Sequence, residues 1–224
     1  MSDALQFVEL QTSERPDACV IWLHGLGADG YDFVPVVREL EALGAPSLRY
    51  VFPHAPMMPV TINGGYVMRA WYDILGTDPV RREDESSIRG SQRAVERLIA
   101  REVARGVART RIVLAGFSQG AAITLQTGLR QADPLAGLLA LSGYLPLADA
   151  LAVERAPQSA GVPILMAHGQ SDPVIPIERA RASRDRLQAL GYAVQWHEYP
   201  MQHSVSAEEL GHIAAFLAAV LGRP

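Results

Sequence analysis

Seven short, mostly apolar runs, 6–10, 18–24, 48–52, 111–117, 137–141, 162–168 and 193–199, alternate along the chain with segments of helical length. Several are nearly all apolar, as in Ala18-Cys19-Val20-Ile21-Trp22-Leu23. A strand with one wet face alternates apolar and polar residues, so unbroken apolar strands are those covered on both faces. The helix-like segments are 31–43, 86–105, 119–131, 177–190 and 206–221. The last opens with Ser206-x-x-Glu209, a capping box, and sets Leu210, Ile213, Ala214 and Leu217 on one face. The 86–105 segment does the same with Val95, Leu98, Ile99 and Val103. Strand–helix alternation of this kind predicts an α/β fold, a mostly parallel central sheet flanked by helices on both faces. With 224 residues, no internal repeat and no linker-like stretch, one domain over 1–224 is expected.

Charge removes several function classes. The net charge is −4 and no long basic run exists, so nucleic acid is not an expected partner. The single cysteine, Cys19, cannot close an internal disulfide and lies in an apolar run. Met1-Ser2-Asp3-Ala4-Leu5-Gln6 has neither a basic n-region nor an apolar h-region, so no signal peptide is expected. Residues 112–129 are uncharged but carry Ser118, Gln119, Gln126 and Thr127, too polar for a membrane helix. A soluble, cytoplasmic protein without stable membrane insertion is the expectation.

Gly116-Phe117-Ser118-Gln119-Gly120 reads G-x-S-x-G between the strand-like run ending at Ala115 and the helix-like run starting at Ala121. With 19 glycines the bare motif arises by chance in roughly one such chain in ten. The strand–turn–helix context is more specific. It is what a nucleophile elbow requires: a sharp turn with the serine at its apex and glycines where side chains would collide. The helix start would also aim free N–H groups at the same spot.

A serine hydroxyl needs a base, and a histidine base needs an orienting carboxylate. On folds with this elbow the order is Ser, then Asp or Glu, then His, all beyond the carboxyl ends of strands. Asp172, in His168-Gly169-Gln170-Ser171-Asp172-Pro173, follows the 162–168 strand closely. Asp133 before Pro134, Asp149 in a connecting segment and Asp185 within a charged helix fit less well. Of the later histidines, His197 lies within a strand and His212 within the last helix. His203, in Pro200-Met201-Gln202-His203-Ser204, leaves a strand for a capped helix and is free to point at Ser118. The pattern therefore selects Ser118, Asp172 and His203.

An oxyanion site needs two N–H donors, one from the residue after the nucleophile and one from a loop after an early strand. These are Gln119 and, in His24-Gly25-Leu26-Gly27-Ala28-Asp29-Gly30, Leu26. The glycine-rich loop matches neither phosphate-binding fingerprint, and the histidines lack metal-ligand spacing, so no cofactor and no metal are expected. Residues 53–84 break the rhythm with a long excursion rich in Pro and Gly but also in Met57, Met58, Met68, Trp71, Tyr72, Ile74 and Leu75. So long a connection is usually functional or disordered, and its aromatics argue against disorder. It could line an apolar pocket around Met68, Trp71 and Leu75, or pack for stability alone. It is also a candidate dimer patch, with a weak homodimer as the expected association.

In order, the chain presents His24-Gly25-Leu26-Gly27-Ala28-Asp29-Gly30, Pro53-His54-Ala55-Pro56, Pro59-Val60-Thr61, Trp71-Tyr72-Asp73, Gly116-Phe117-Ser118-Gln119-Gly120, His168-Gly169-x-x-Asp172 and His203. This resembles the carboxylesterase and acyl-protein thioesterase (phospholipase/carboxylesterase) family of α/β-hydrolases, in its bacterial carboxylesterase branch. The resemblance covers nearly the whole chain. It implies an α/β-hydrolase fold with no separate cap domain and a cofactor-free serine carboxylesterase. Ser118, Asp172 and His203 would form the triad, and Leu26 and Gln119 the oxyanion donors. It further implies a small-molecule ester or acyl-chain substrate, with acyl-protein thioesterase or lysophospholipase activity as the alternative. The excursion before the elbow would contribute an acyl groove. Met57-Met58 stands where relatives often carry a basic residue. A small-peptide amidase and a non-catalytic binding protein remain as rivals.

Overall fold

The computed structural model describes residues 5–76 and 82–222. Met1–Ala4, and residues 77–81 of the 53–84 excursion, which entered the readings above, lie outside them. Among the described residues eleven strands and six α-helices follow in chain order: β1 (Phe7–Gln11), β2 (Cys19–Leu23), α1 (Val36–Ala42), β3 (Arg49–Pro53), β4 (Met57–Val60), β5 (Tyr66–Arg69), β6 (Ile74–Gly76), β7 (Arg82–Glu83), α2 (Glu85–Ala104), β8 (Ile112–Phe117), α3 (Gln119–Gly128), β9 (Gly137–Leu141), α4 (Ala148–Glu154), β10 (Ile164–Gly169), α5 (Ile177–Ala189), β11 (Val194–Tyr199) and α6 (Ala207–Leu221). Seven strands form the central sheet in the order β1-β3-β2-β8-β9-β10-β11. Only β1 runs antiparallel to its neighbour.

The inner strands are largely apolar because successive side chains serve different cores. On one face Cys19, Ile21, Leu23, Ile112, Leu114, Leu138 and Ile164 pack with residues of α2, α3 and α5. On the other face Val20, Trp22, Tyr50, Phe52, Val113, Leu139 and Leu165 pack against α1 and α6. Burying a large apolar side chain contributes about 1.5–3 kcal/mol, so a sheet covered twice gains on both faces. This is the α/β arrangement that the alternation predicts and the α/β-hydrolase fold that the resemblance implies, and among the described residues no separate cap stands over it.

Four details differ from the expectations. The 31–43 segment is helical only over α1, because Pro35 occupies the cap position and the residue before a proline disfavours helical backbone. Ala148–Glu154, with Asp149 in its first turn, is a helix rather than a connection. Val103 is 37% exposed, and its expected place on the buried face of α2 is taken by Glu102, which is paired with Arg49. The excursion holds two small antiparallel pairs, β4–β5 and β6–β7.

Candidate active site

β8 passes into α3 through one residue, Ser118, whose φ of 56° and ψ of −118° are strained for a side chain. Such a conformation costs about 1–3 kcal/mol and persists only where the surroundings enforce it. Here the Ser118 N–H donates to the Leu141 carbonyl at 2.9 Å, and its carbonyl accepts from the Ala122 N–H at 3.2 Å. A Cβ at Gly116 would strike the Gly120 backbone, and one at Gly120 the Leu23 carbonyl. The two glycines therefore let α3 start against the sheet. Ser118 keeps 7% of its surface exposed.

Asp172 lies in the loop leaving β10 and His203 in the loop leaving β11. His203 Nδ1 stands 2.6 Å from Asp172 Oδ2. Asp172 Oδ1 accepts from the N–H groups of Val174 and Ile175, at 2.8 and 2.9 Å. The His203 ring packs 4.7 Å from that of Phe117, the residue before the serine. Among the described residues, no hydrogen bond joins Ser118 to His203. The elements thus bring all three residues to one edge of the sheet, with the carboxylate–imidazole contact made and the serine contact open.

The loop after β2 lies beside the elbow and is tied down at several points. His24 Nε2 accepts from the Ala55 N–H at 3.0 Å, which puts the ring proton on Nδ1, 2.7 Å from the Gly25 carbonyl. Burial holds this imidazole down to about 4, so it stays neutral. The His24 carbonyl accepts from the Trp71 indole at 2.8 Å, and the Gly27 N–H donates to the Arg69 carbonyl at 2.9 Å. Among the described residues no acceptor pairs with the N–H of Leu26 or of Gln119. The Gln119 side chain is fully engaged: it accepts from the Trp71 N–H at 3.0 Å and donates to the Tyr72 carbonyl at 2.9 Å.

The three residues expected around an apolar pocket separate. Leu75 is 44% exposed and Met68 half-buried. Trp71 is 1% exposed, with its indole N–H and backbone N–H both spent on the site's loops, so it braces the site from beneath. Sequence reasoning missed two further contributors to the site's framework: the His24 ring and the Gln119 side chain. The signal for the histidine was present, since it ends an otherwise apolar strand run. Among the described residues no three His, Cys, Asp or Glu side chains are placed to hold a metal ion. No helix there is long and apolar enough to cross a membrane.

An anion forming between the Leu26 and Gln119 N–H groups, within reach of Ser118, would find two free donors and the start of α3. Residues 6–221 match the model of a family described as phospholipase/carboxylesterase. The chain is similar to acyl-protein thioesterase 1 of Gibberella zeae, 40% identical over 209 residues, covering 89% of each chain. Among solved structures it is similar to Arabidopsis thaliana SOBER1, with a TM-score of 0.84, 31% identity, and 91% of this chain and 99% of that chain covered. It is also similar to Zea mays acyl-protein thioesterase 2, with a TM-score of 0.84, 27% identity, and 97% and 99% covered. These relatives are fungal and plant proteins, so the narrower placement in a bacterial carboxylesterase branch has no support from them.

Proposed function

The chain belongs to the phospholipase/carboxylesterase family, and from that premise we propose that it is a serine hydrolase cleaving carboxylic esters through an acyl-enzyme. The observation that carries the reading is the 2.6 Å contact between His203 Nδ1 and Asp172 Oδ2. It sits beside a serine held at a strained φ of 56°, next to two unspent N–H donors. His203 Nε2 takes the Ser118 proton as Oγ attacks the ester carbonyl. The carbonyl oxygen becomes an oxyanion on the N–H groups of Leu26 and Gln119. The C–O bond then breaks, and His203 returns the proton to the leaving alcohol. Water repeats the sequence on the acyl-enzyme, releasing the acid and restoring Ser118. Asp172 fixes the His203 tautomer and stabilises its charged form. The missing Ser118–His203 bond is consistent with this, because such contacts commonly tighten only when substrate binds. Met68 and Leu75 would meet the acyl chain, with Trp71 supporting them.

A second reading has its own observation: relatives 40% identical bear the name acyl-protein thioesterase 1. The same machinery would cleave a thioester, whose thiolate leaves with less help from His203. Hydrolysis of p-nitrophenyl esters from acetate to palmitate, beside an acyl-thioester of matched chain length, separates the two by kcat/KM. In either case Ser118→Ala should keep less than about a thousandth of kcat, since triad members act as a unit. A variant that retains most of its activity sinks the proposal. Turnover of an anilide as fast as of the ester would favour an amidase.

A further inference from the structure

The two N–H groups that would hold the oxyanion stand on separate segments, Leu26 in the loop after β2 and Gln119 at the start of α3. An oxyanion site works only where both donors lie about 2.7–3.1 Å from one point, so their spacing must be fixed. One residue touches both segments. Trp71, 1% exposed, follows β5. Its indole N–H donates to the His24 carbonyl at 2.8 Å. Its backbone N–H donates to the Gln119 side-chain oxygen at 3.0 Å, and the Gln119 amide donates in turn to the Tyr72 carbonyl at 2.9 Å. A backbone N–H only donates and a carbonyl only accepts, so these two partners fix which way the amide points. Leu26 is bracketed in the same way. The His24 carbonyl before it is tied to Trp71, and the Gly27 N–H after it donates to the Arg69 carbonyl at 2.9 Å. Trp71 is anchored from behind, where its carbonyl accepts from the Ser91 hydroxyl on α2. Packing alone would need only the ring. Here every polar group of Trp71 is spent, two of them on the segments that carry the donors.

We propose that Trp71 is a positioning residue that sets the spacing of the two oxyanion donors, holding the Leu26 segment by its indole N–H and the Gln119 segment by its backbone N–H. The inference rests on the reading of Leu26 and Gln119 as those donors. Replacing the Gln119 side chain leaves its own backbone N–H in place, so any loss arrives through the broken cross-link. Replacing Trp71 by Phe keeps an aromatic ring but frees the His24 carbonyl. In both cases the donor remains and its aim is lost. The ester carbonyl carries full negative charge only on the way to the tetrahedral intermediate, so the loss falls on kcat and leaves KM nearly unchanged.

The test measures kcat and KM on a p-nitrophenyl ester, the inhibition constant of an alkylboronic acid, and Tm, for the wild type, Trp71→Phe, Trp71→His and Gln119→Met. The boronic acid reads the oxyanion site directly: Ser118 Oγ bonds to boron, the serine proton passes to His203, and boron becomes a tetrahedral anion. Trp71→Phe and Gln119→Met should each lose about ten- to a hundredfold in kcat, with KM within about threefold of wild type. Boronate affinity should fall by a similar factor. Trp71→His offers a ring N–H as far from the Cβ as the indole N–H, on a smaller ring. It should exceed Trp71→Phe in kcat and boronate affinity even where its Tm is lower. Variants that lose Tm but keep kcat and boronate affinity overturn the proposal, as does Trp71→His performing no better than Trp71→Phe. If the Trp71 variants do not fold, Gln119→Met decides by the same two constants. A wild type that neither hydrolyses the ester nor binds the boronate removes the hydrolase reading, and with it the oxyanion that Trp71 would serve.

Discussion

At the scale of single residues, the site depends on protonation states that burial sets. His24 is 1% exposed, and its Nε2 must stay bare to accept from Ala55. Its folded-state value, about 4, lies below the ordinary 6.5, so the fold holds the neutral ring. The stability this contributes is complete above pH 6.5 and is lost as pH falls through 4. His24→Ala should cost about 1–3 kcal/mol at pH 7, because it leaves the buried Ala55 N–H unpaired. Urea unfolding at pH 7 and at pH 5 checks this, with the gap between variant and wild type narrowing at the lower pH. Activity should fall by about tenfold as well, since the loop carrying Leu26 loses its anchor. A variant as stable as wild type at pH 7 would show that the ring anchors nothing.

At the scale of elements, α6 carries an unusual cap. Glu209 closes the capping box with Ser206, donor and acceptor exchanged at 3.2 and 3.4 Å. It is fully buried, and its Oε1 has no partner among the described residues. Burial pushes its carboxyl up to about 8. The folded-state value is above the ordinary 4.5, so the stability of the neutral form is complete below pH 4.5 and is lost as pH rises through 8. Glu209→Gln keeps an acceptor for the Ser206 N–H and cannot ionise. It should be near-neutral at pH 4.5 and stabilising by about 1–3 kcal/mol at pH 8. Thermal unfolding at the two pH values reads the difference, at about 2–4 °C per kcal/mol for a chain this size. An equal Tm gap at both pH values would mean that the carboxyl ionises freely in the folded protein.

At the scale of the whole molecule, stability and chemistry sit at opposite edges of the sheet. Ser118, Asp172 and His203 follow the carboxyl ends of β8, β10 and β11. At the other edge, the starts of β2 and β3 meet a charge network. There Glu102 accepts from Arg49 at 2.9 Å, from Arg105 at 3.1 Å and from Arg101. Glu9 joins through Arg105 at 2.6 Å, which holds its carboxyl down to about 2. Glu102 is fully buried and Arg49 nearly so. Removing Glu102 leaves the buried Arg49 with only Glu9 at 3.8 Å, so Glu102→Ala should cost about 3 kcal/mol and lower Tm by several degrees. Ester kcat/KM at 20 °C should stay within about twofold of wild type, because nothing at the catalytic edge changes. A loss of activity that exceeds the unfolded fraction would show the two edges to be coupled.

Periodicity settled most of the architecture. Mostly apolar runs favour burial, so all seven became central strands, and helical spacing placed the helices on both faces. Local chemistry also pointed to Ser118, Asp172 and His203, which the fold brings to the carboxyl ends of β8, β10 and β11. What the residues could not decide was anything set by contacts across the sheet. The burial of Glu102 in place of Val103 depends on Arg49, 53 residues away in the chain. The placement of Trp71 beneath the site depends on Gln119, 48 residues on. The contact between His203 and Asp172 exists only because separate loops converge on one edge. Sequence fixes what each residue can donate, accept or bury; packing decides which partner it meets.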